Sequence, residues 1–304
     1  MKKITKRYLV KTIVHKLRKG GTLKKMNCNP QTRGKTINKD TCYTKNALLI
    51  VKEAYDKENP RNKIRGKSPH QIIEELNHKI PKCRSEDCWI EQTPVRNRNK
   101  LLNQLFAPYQ PKEWKQNPTE WLSNIDILNV LKQYEKTYRD FKFIGPTSID
   151  FDTVIDSQCV SEELCHIDLQ ELTKSGINKI GIIFNLDRHD ESGSHWVSMF
   201  INIKERFLFY FDSAAGPTPV EIQKLIDLLL QQSANLNQKL TYYTNYPNQH
   251  QRGNTECGMY SLYFIITMLE DNVRSTKTKI NLFKKKKIAD KFVESFRNKY
   301  FNKS

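Results

Sequence analysis

A histidine, an acid and a cysteine stand in the second half of the chain where three long apolar runs begin or end. His195 precedes the strand-like run WVSMFINI (196–203), and Asp212 follows a second run, FLFYF (207–211). The polar Lys204-Glu205-Arg206 between them reads as a turn, so antiparallel pairing returns Asp212 to the neighbourhood of His195. A carboxylate beside an imidazole accepts the Nδ1 proton, fixes the tautomer and leaves Nε2 free as a base. The competing reading is an ordinary pair of polar residues at strand ends. Cys257 lies between the polar stretch NQHQRGNTE and the apolar, helix-length CGMYSLYFIITMLED. That position sets its sulfur at a helix N-terminus, where the dipole and a nearby imidazolium favour thiolate. The alternative is an inert core cysteine, against which the polar loop directly before it argues. Six residues upstream, Gln251 offers a side-chain amide to join the Cys257 N–H in binding an oxyanion. Together these residues predict acyl transfer by a cysteine nucleophile.

The elements that must position them follow from periodicity. KIGIIFNL (179–186) is a near-continuous apolar run suited to a buried strand, followed by the hairpin, an amphipathic helix over Pro219–Ser233 and a strand over Leu240–Tyr246. With the helix at Cys257, the order indicates an α+β catalytic domain whose central helix packs on a mixed sheet. Upstream, Thr44–Tyr55, His70–Ile80 after Ser68-Pro69, and Trp121–Tyr138 have helical spacing. Pro108, Pro111 and Pro118 punctuate a linker. The expected organisation is a basic mobile arm over 1–40 with a short helix over Tyr8–Leu17, a small helical region over 41–112, and the catalytic domain over 113–304. A last helix over about 286–300 carries Ile288, Phe292 and Phe296 on one face.

At 304 residues, 38% hydrophobic and 28% charged, the chain has material for a large core, and its composition excludes collagen-like and wholly disordered classes. Its net charge of +18 is uneven: residues 1–40 carry +12 and residues 273–304 carry +9, leaving −3 for the body. Basic ends on a nearly neutral body predict contact of the termini with polyanions such as DNA, or simply solvated tails. The seven cysteines make no small disulfide framework, so a reducing compartment is expected. No apolar run is long enough for a membrane span, and charge interrupts the basic N-terminus too often for a secretory signal. No phosphate-binding glycine loop is present, and Cys159, Cys165 and His166 lack a fourth ligand, so neither cofactor nor metal is expected. His189, in the charged loop DRHDE, and His250 are the rival bases to His195.

In type, order and spacing, Gly193-Ser194-His195-Trp196, then Phe211-Asp212-Ser213, then Gln251 and Glu256-Cys257-Gly258 resemble the signature of the SUMO-protease and adenovirus-proteinase superfamily of cysteine proteases. Trp121-Leu122-Ser123-Asn124 resembles the Trp-Leu-Asn-Asp element of that superfamily, and the likeness runs over roughly 118–272. The resemblance implies a papain-like, adenain-like fold with a helical N-terminal extension. It implies His195 as general base, Asp212 as its orienter, Cys257 as nucleophile and Gln251 as oxyanion donor. It also implies that Trp121 and Trp196 clamp a polypeptide substrate in a channel that admits only Gly-Gly or Gly-Ala type sequences before the scissile bond. Two departures stand out: Glu256 replaces the usual Asp before the nucleophile, and Ser123-Asn124 replaces Asn-Asp.

The N-terminal third, with Cys42-Tyr43 and a Lys-, Asn- and Ile-rich composition, looks most like the core-maturation proteases of large DNA viruses, the poxvirus and African swine fever virus type. That likeness implies processing of structural precursor proteins in the virion and host cytoplasm, with no secretion. Two other functions remain open on the residues: removal of SUMO- or ubiquitin-like modifiers, and a basic nucleic-acid-binding virion protein with a vestigial site.

Overall fold

The computed structural model describes residues 23–270 and 274–303 and divides into two units, 1–107 and 108–304. The expected helix at 8–17 and most of the basic arm lie outside the described residues.

In the first unit, helix α1 (Lys45–Glu58) is capped by the Thr44 side chain. Helix α2 (Pro69–Lys79) opens on a capping box between Ser68 and Gln71, with Pro69 in its first turn. Two shorter helices follow, α3 (Asp87–Glu91) and α4 (Arg98–Leu105). Their apolar faces meet around Tyr43, Trp89 and Phe106, all fully buried. The expectation of a free arm up to residue 40 is corrected for residues 23–40. Met26 is buried in this core, the Asn29 N–H donates to the Leu105 carbonyl, and Cys28 is bonded to Cys42. The cysteine reading is corrected as well: Cys83–Cys88 and Cys159–Cys165 are also disulfides, leaving Cys257 as the free thiol. The last two pairs are five and six residues apart, so local turns bring their sulfurs together.

The second unit is built on a five-stranded mixed sheet. Before it comes helix α5 (Asn124–Thr137) and then strand β1 (Phe141–Ser148), which periodicity missed because Gly145 and Pro146 break its apolar pattern. A two-residue hairpin, β2 (Val154–Ile155) and β3 (Gln158–Cys159), and the short helices α6 (Glu162–Cys165) and α7 (Leu169–Lys174) lead to β4 (Lys179–Asn185). The hairpin β5 (Trp196–Asn202) and β6 (Phe207–Phe211), helix α8 (Val220–Asn235) and strand β7 (Thr241–Thr244) follow. The sheet order is β1-β4-β5-β6-β7, parallel at both outer pairs and antiparallel between β4, β5 and β6.

Both sheet faces are covered, so its strands read as continuous apolar runs rather than alternating ones. The alternation is present in where side chains go. Ile182, Met199 and Leu208 face α8, whereas Ile183, Phe200 and Phe209 face α5 and α9 (Cys257–Leu269). Helix α9 is buried almost all round, which explains its lack of a polar face.

The linker and the last helix are also corrected. Residues 108–110 exchange backbone hydrogen bonds with Asn302, and Trp114 is buried against Phe301, so this stretch belongs to the second unit. The expected helix over 286–300 is broken into α11 (Asp290–Glu294) and α12 (Arg297–Tyr300) after α10 (Thr276–Lys285). Ile288 is buried in the break, while Phe292 is 48% exposed. No described helix is long and apolar enough to cross a membrane.

Candidate active site

The hairpin register decides where His195 and Asp212 lie. Ser198 pairs with Phe211 as the last rung, so His195, just before β5, and Asp212, just after β6, lie at the same end of the hairpin. The result is a 2.7 Å hydrogen bond between His195 Nε2 and Asp212 Oδ1. This corrects the expected tautomer: the carboxylate takes Nε2, leaving Nδ1 as the ring nitrogen for the third partner. That partner is Cys257, the first residue of α9, whose side chain is near enough to act on the His195 ring. Burial disfavours a charged imidazole here, but the hydrogen bonds to Asp212 and Cys257 and the charges of both outweigh it. The His195 pKa therefore rises from 6.5 to about 9, and the ring is an imidazolium at neutral pH.

Asp212 is itself held on every side. Its carboxylate accepts the N–H groups of Ala214 at 2.9 Å and Gly216 at 2.8 Å. Its backbone is clasped by Asn245, whose Oδ1 accepts the Asp212 N–H at 3.0 Å and whose Nδ2 donates to the Asp212 carbonyl at 2.6 Å. A Cβ on Gly216 would lie 2.9 Å from Asp212 Oδ2, so the turn can close on the carboxylate only with glycine there. Sequence reasoning missed Asn245 and Gly216; nothing in their local pattern marks them.

Gln251 is buried, with Oε1 accepting from Ser213 Oγ at 2.7 Å and Nε2 donating to the Gly253 carbonyl at 3.0 Å. An amide nitrogen carries two hydrogens, so one donor of Nε2 is left over from these contacts.

Trp121 and Trp196 both line a cleft of about 580 Å³ that also takes in Asn185, Arg188, His189 and Gly193. Trp196 is buried and its Nε1 donates to the Leu122 carbonyl at 3.0 Å, while Trp121 is 37% exposed at the rim. Leu122 packs so closely on Gly258 that a Cβ there would sit 2.9 Å from it, which brings this wall against the residue next to Cys257. Ser123 caps α5 in a capping box with Asp126, whose carboxylate accepts the Ser123 N–H and hydroxyl.

The rival histidines have other partners. His250 is fully buried, its Nε2 donating to the Phe283 carbonyl at 2.8 Å and its Nδ1 accepting the Ile288 N–H at 3.2 Å, which leaves no ring nitrogen for a substrate. Burial holds its pKa below the usual value. His189 pairs with Asp150 at 2.7 Å. Burial raises the Asp150 carboxyl, but the hydrogen bonds from His189 help hold it below its usual range. Cys159, Cys165 and His166 place their ligand atoms within 4.8 Å of one another, with the two sulfurs joined as a disulfide.

The profile of the Ulp1 protease family, C-terminal catalytic domain, matches residues 177–304. A protein of Acanthamoeba polyphaga mimivirus, named a thiol protease, is 30% identical over 300 residues, 90% of this chain and 92% of its own. The chain belongs to the Ulp1 protease family. A cysteine protease of African swine fever virus is 27% identical over 237 residues, 72% of this chain and 83% of its own. A crystal structure of the African swine fever virus protease shares the fold at a TM-score of 0.64 and 22% identity, covering 93% of this chain and 98% of that one. This Ulp1-family protein is thus a cysteine protease of α+β fold, acting on polypeptides. The family profile begins after β1, so Trp121 and α5 lie outside it.

Proposed function

We propose that this protein is an endopeptidase that cuts structural precursor proteins after a small residue of the Gly-Gly or Gly-Ala type, with Cys257 as nucleophile. The observation that carries this reading is His195, hydrogen-bonded to Asp212 at 2.7 Å and set beside Cys257 at a helix N-terminus. With the thiol proton already held on the His195 imidazolium, the Cys257 sulfur attacks the carbonyl carbon of the scissile bond. Gln251 Nε2 and the Cys257 N–H stabilise the oxyanion. The imidazolium then protonates the leaving amine, and water, deprotonated by His195, hydrolyses the thioester. Asp212 holds the ring in place throughout. Trp121 and Trp196 flank the incoming chain beside Leu122, where bulk at the last two positions before the cut would meet indole.

Processing of precursors would put the enzyme in the virion and the host cytoplasm, in keeping with its viral relatives, with the basic ends of the sequence as the segments that bind DNA. Such binding weakens steeply with salt.

The test is to incubate the protein and its Cys257→Ala variant with candidate structural precursors and read new termini by mass spectrometry. Cuts after Gly-Gly or Gly-Ala that vanish in Cys257→Ala support the reading. Cleavage that survives the substitution, or release only of ubiquitin-like modifiers from conjugates, overturns it.

A further inference from the structure

The site's two flanks are tied to one segment that the mechanism does not use. Asp290, the first residue of α11, lies next to the loop that leads into Cys257. Its carboxylate accepts the Arg252 N–H, at 3.2 Å to Oδ1 and 3.0 Å to Oδ2, and the Gly253 N–H at 2.9 Å. It also accepts the Tyr260 hydroxyl, from α9 itself, at 2.8 Å. Gly253 is the residue whose carbonyl receives Gln251 Nε2. One carboxylate thus anchors the Gly253 backbone from its N–H side, one peptide unit before the carbonyl at which the Gln251 amide is aimed. Burial disfavours the Asp290 charge, but the N–H of Gly253, the Tyr260 hydroxyl and the Arg252 N–H hold its carboxyl below the usual range, so it is ionised where it accepts.

Seven residues on, Arg297 does the corresponding work on the opposite flank. It is 4% exposed, and its Nη2 donates to the Glu120 carbonyl at 2.7 Å. Its guanidinium lies 4.3 Å from the centre of the Trp114 ring, and its Nε donates to Glu294 at 2.7 Å. Glu120 in turn accepts the Trp121 N–H at 3.2 Å. The contact spans 177 residues of sequence and ends beside the tryptophan at the rim of the cleft.

We propose that α11 and α12 form a strap that positions the two halves of the site separately: Asp290 sets the oxyanion donors and so governs kcat, while Arg297 sets the Trp121 wall and so governs KM. This inference rests on the proposed role of Gln251. An oxyanion forms only in the transition state, so disturbing its donor loop lowers kcat and leaves substrate binding in place. The tryptophan wall touches the substrate before and during reaction, so moving it weakens both states alike and raises KM. Neither Asp290 nor Arg297 touches the reacting atoms; both are positioning residues.

The experiment is steady-state kinetics on a fluorogenic peptide amide ending in Gly-Gly, with rates counted per thiol titrated by an irreversible peptide probe, so that unfolded protein drops out. In Asp290→Asn one acceptor oxygen becomes a donor facing N–H groups. Removing an oxyanion donor outright costs about 10²–10³ in kcat, so displacing one should cost about 10- to 100-fold, with KM within about twofold. Arg297→Lys loses the fork and the ring contact and should raise KM about fivefold or more with kcat within about twofold. Tyr260→Phe removes one hydroxyl from Asp290 but leaves the loop contacts, and should change kcat by less than about threefold. If Asp290→Asn does not fold, Asp290→Glu keeps the charge one methylene further out and should lower kcat about three- to tenfold. An unchanged kcat in the Asp290 variants, the same kcat loss in Tyr260→Phe, or kcat and KM moving together in both strap variants would overturn the inference. A wild-type protein with no Cys257-dependent cleavage overturns the reading beneath it instead.

Discussion

His195 and Asp212 lie at the same end of one hairpin, brought together by five consecutive residue pairs and a four-residue turn. Gln251 is held quite differently, by Ser213, 38 residues before it, and through Gly253 by Asp290, 37 residues after that glycine. The first half of the site is fixed by strand register within the sheet, the second by side chains that reach across from elsewhere. Register errors are costly because they flip every side chain of a buried strand, so the hairpin half is rigidly determined. The loop half is only as exact as each long-range hydrogen bond, and its parts should fail one at a time and by smaller amounts.

Asp212→Asn should cause the largest loss among the supporting residues. The substitution keeps the shape but replaces a charge that holds the imidazolium, so kcat/KM should fall about 10²- to 10³-fold, or about 2.7–4 kcal/mol. It should also move the pH profile. The His195 pKa is raised above that of an unfolded histidine, so its contribution to stability is full below about pH 6.5 and is lost as pH rises through about 9. Activity requires the imidazolium as acid for the leaving amine, so kcat/KM should fall above about pH 9 in the wild type. Without the Asp212 charge that alkaline limb should shift to lower pH. A profile of kcat/KM from pH 6 to 10 that stays unmoved in Asp212→Asn would remove Asp212 from the ring's electrostatics.

Gly216→Ala probes the same half more gently. The new methyl would meet Asp212 Oδ2 at 2.9 Å, and relieving that contact means withdrawing either the carboxylate or the Gly216 N–H that binds it. A loss of about tenfold in kcat, with the alkaline limb displaced in the same direction as in Asp212→Asn but by less, is the expected outcome. If KM rises and the profile does not move, the turn supports the substrate and not the carboxylate.

The same contrast explains what was legible in the sequence. His195 and Asp212 could be paired from alternation and turn position because their contact is local, and Cys257 was visible from the abrupt change at 257 from polar loop to apolar helix. Which imidazole nitrogen faces Asp212 was not legible, since it depends on ring orientation at a strand end and not on residue order. Asn245, Asp290 and Arg297 gave no signal: each is a common polar residue whose role exists only after distant segments have packed. Strand β1 escaped because Gly145-Pro146 interrupts it and because its parallel pairing with β4 leaves no turn between the two strands to read. An odd cysteine count in a long chain fits no disulfide framework, and the sequence does not show that Cys83–Cys88 and Cys159–Cys165 close over short local turns.

Of the substitutions in these two halves, Ser213→Ala should cost less than Asp212→Asn or Gly216→Ala. Ser213 lies beside Asp212 but serves the other half: its hydroxyl donates to Gln251 Oε1 at 2.7 Å, and its carbonyl accepts the N–H groups of both His250 and Gln251 at 2.9 Å. Alanine keeps the backbone contacts and removes only the hydroxyl, leaving a buried amide oxygen without its donor. A neutral hydrogen bond of this kind is worth about 1 kcal/mol net, so kcat should fall about three- to tenfold with KM unchanged. The Gly253 carbonyl still holds Nε2, which keeps the loss below that of removing the amide. No displacement of the alkaline limb should accompany it, because Gln251 is uncharged and the His195–Asp212 contact is untouched. A Ser213→Ala variant as impaired as Asp212→Asn, or one whose pH profile shifts with it, would mean that the two halves are a single mechanical unit and that the division by register and reach does not hold.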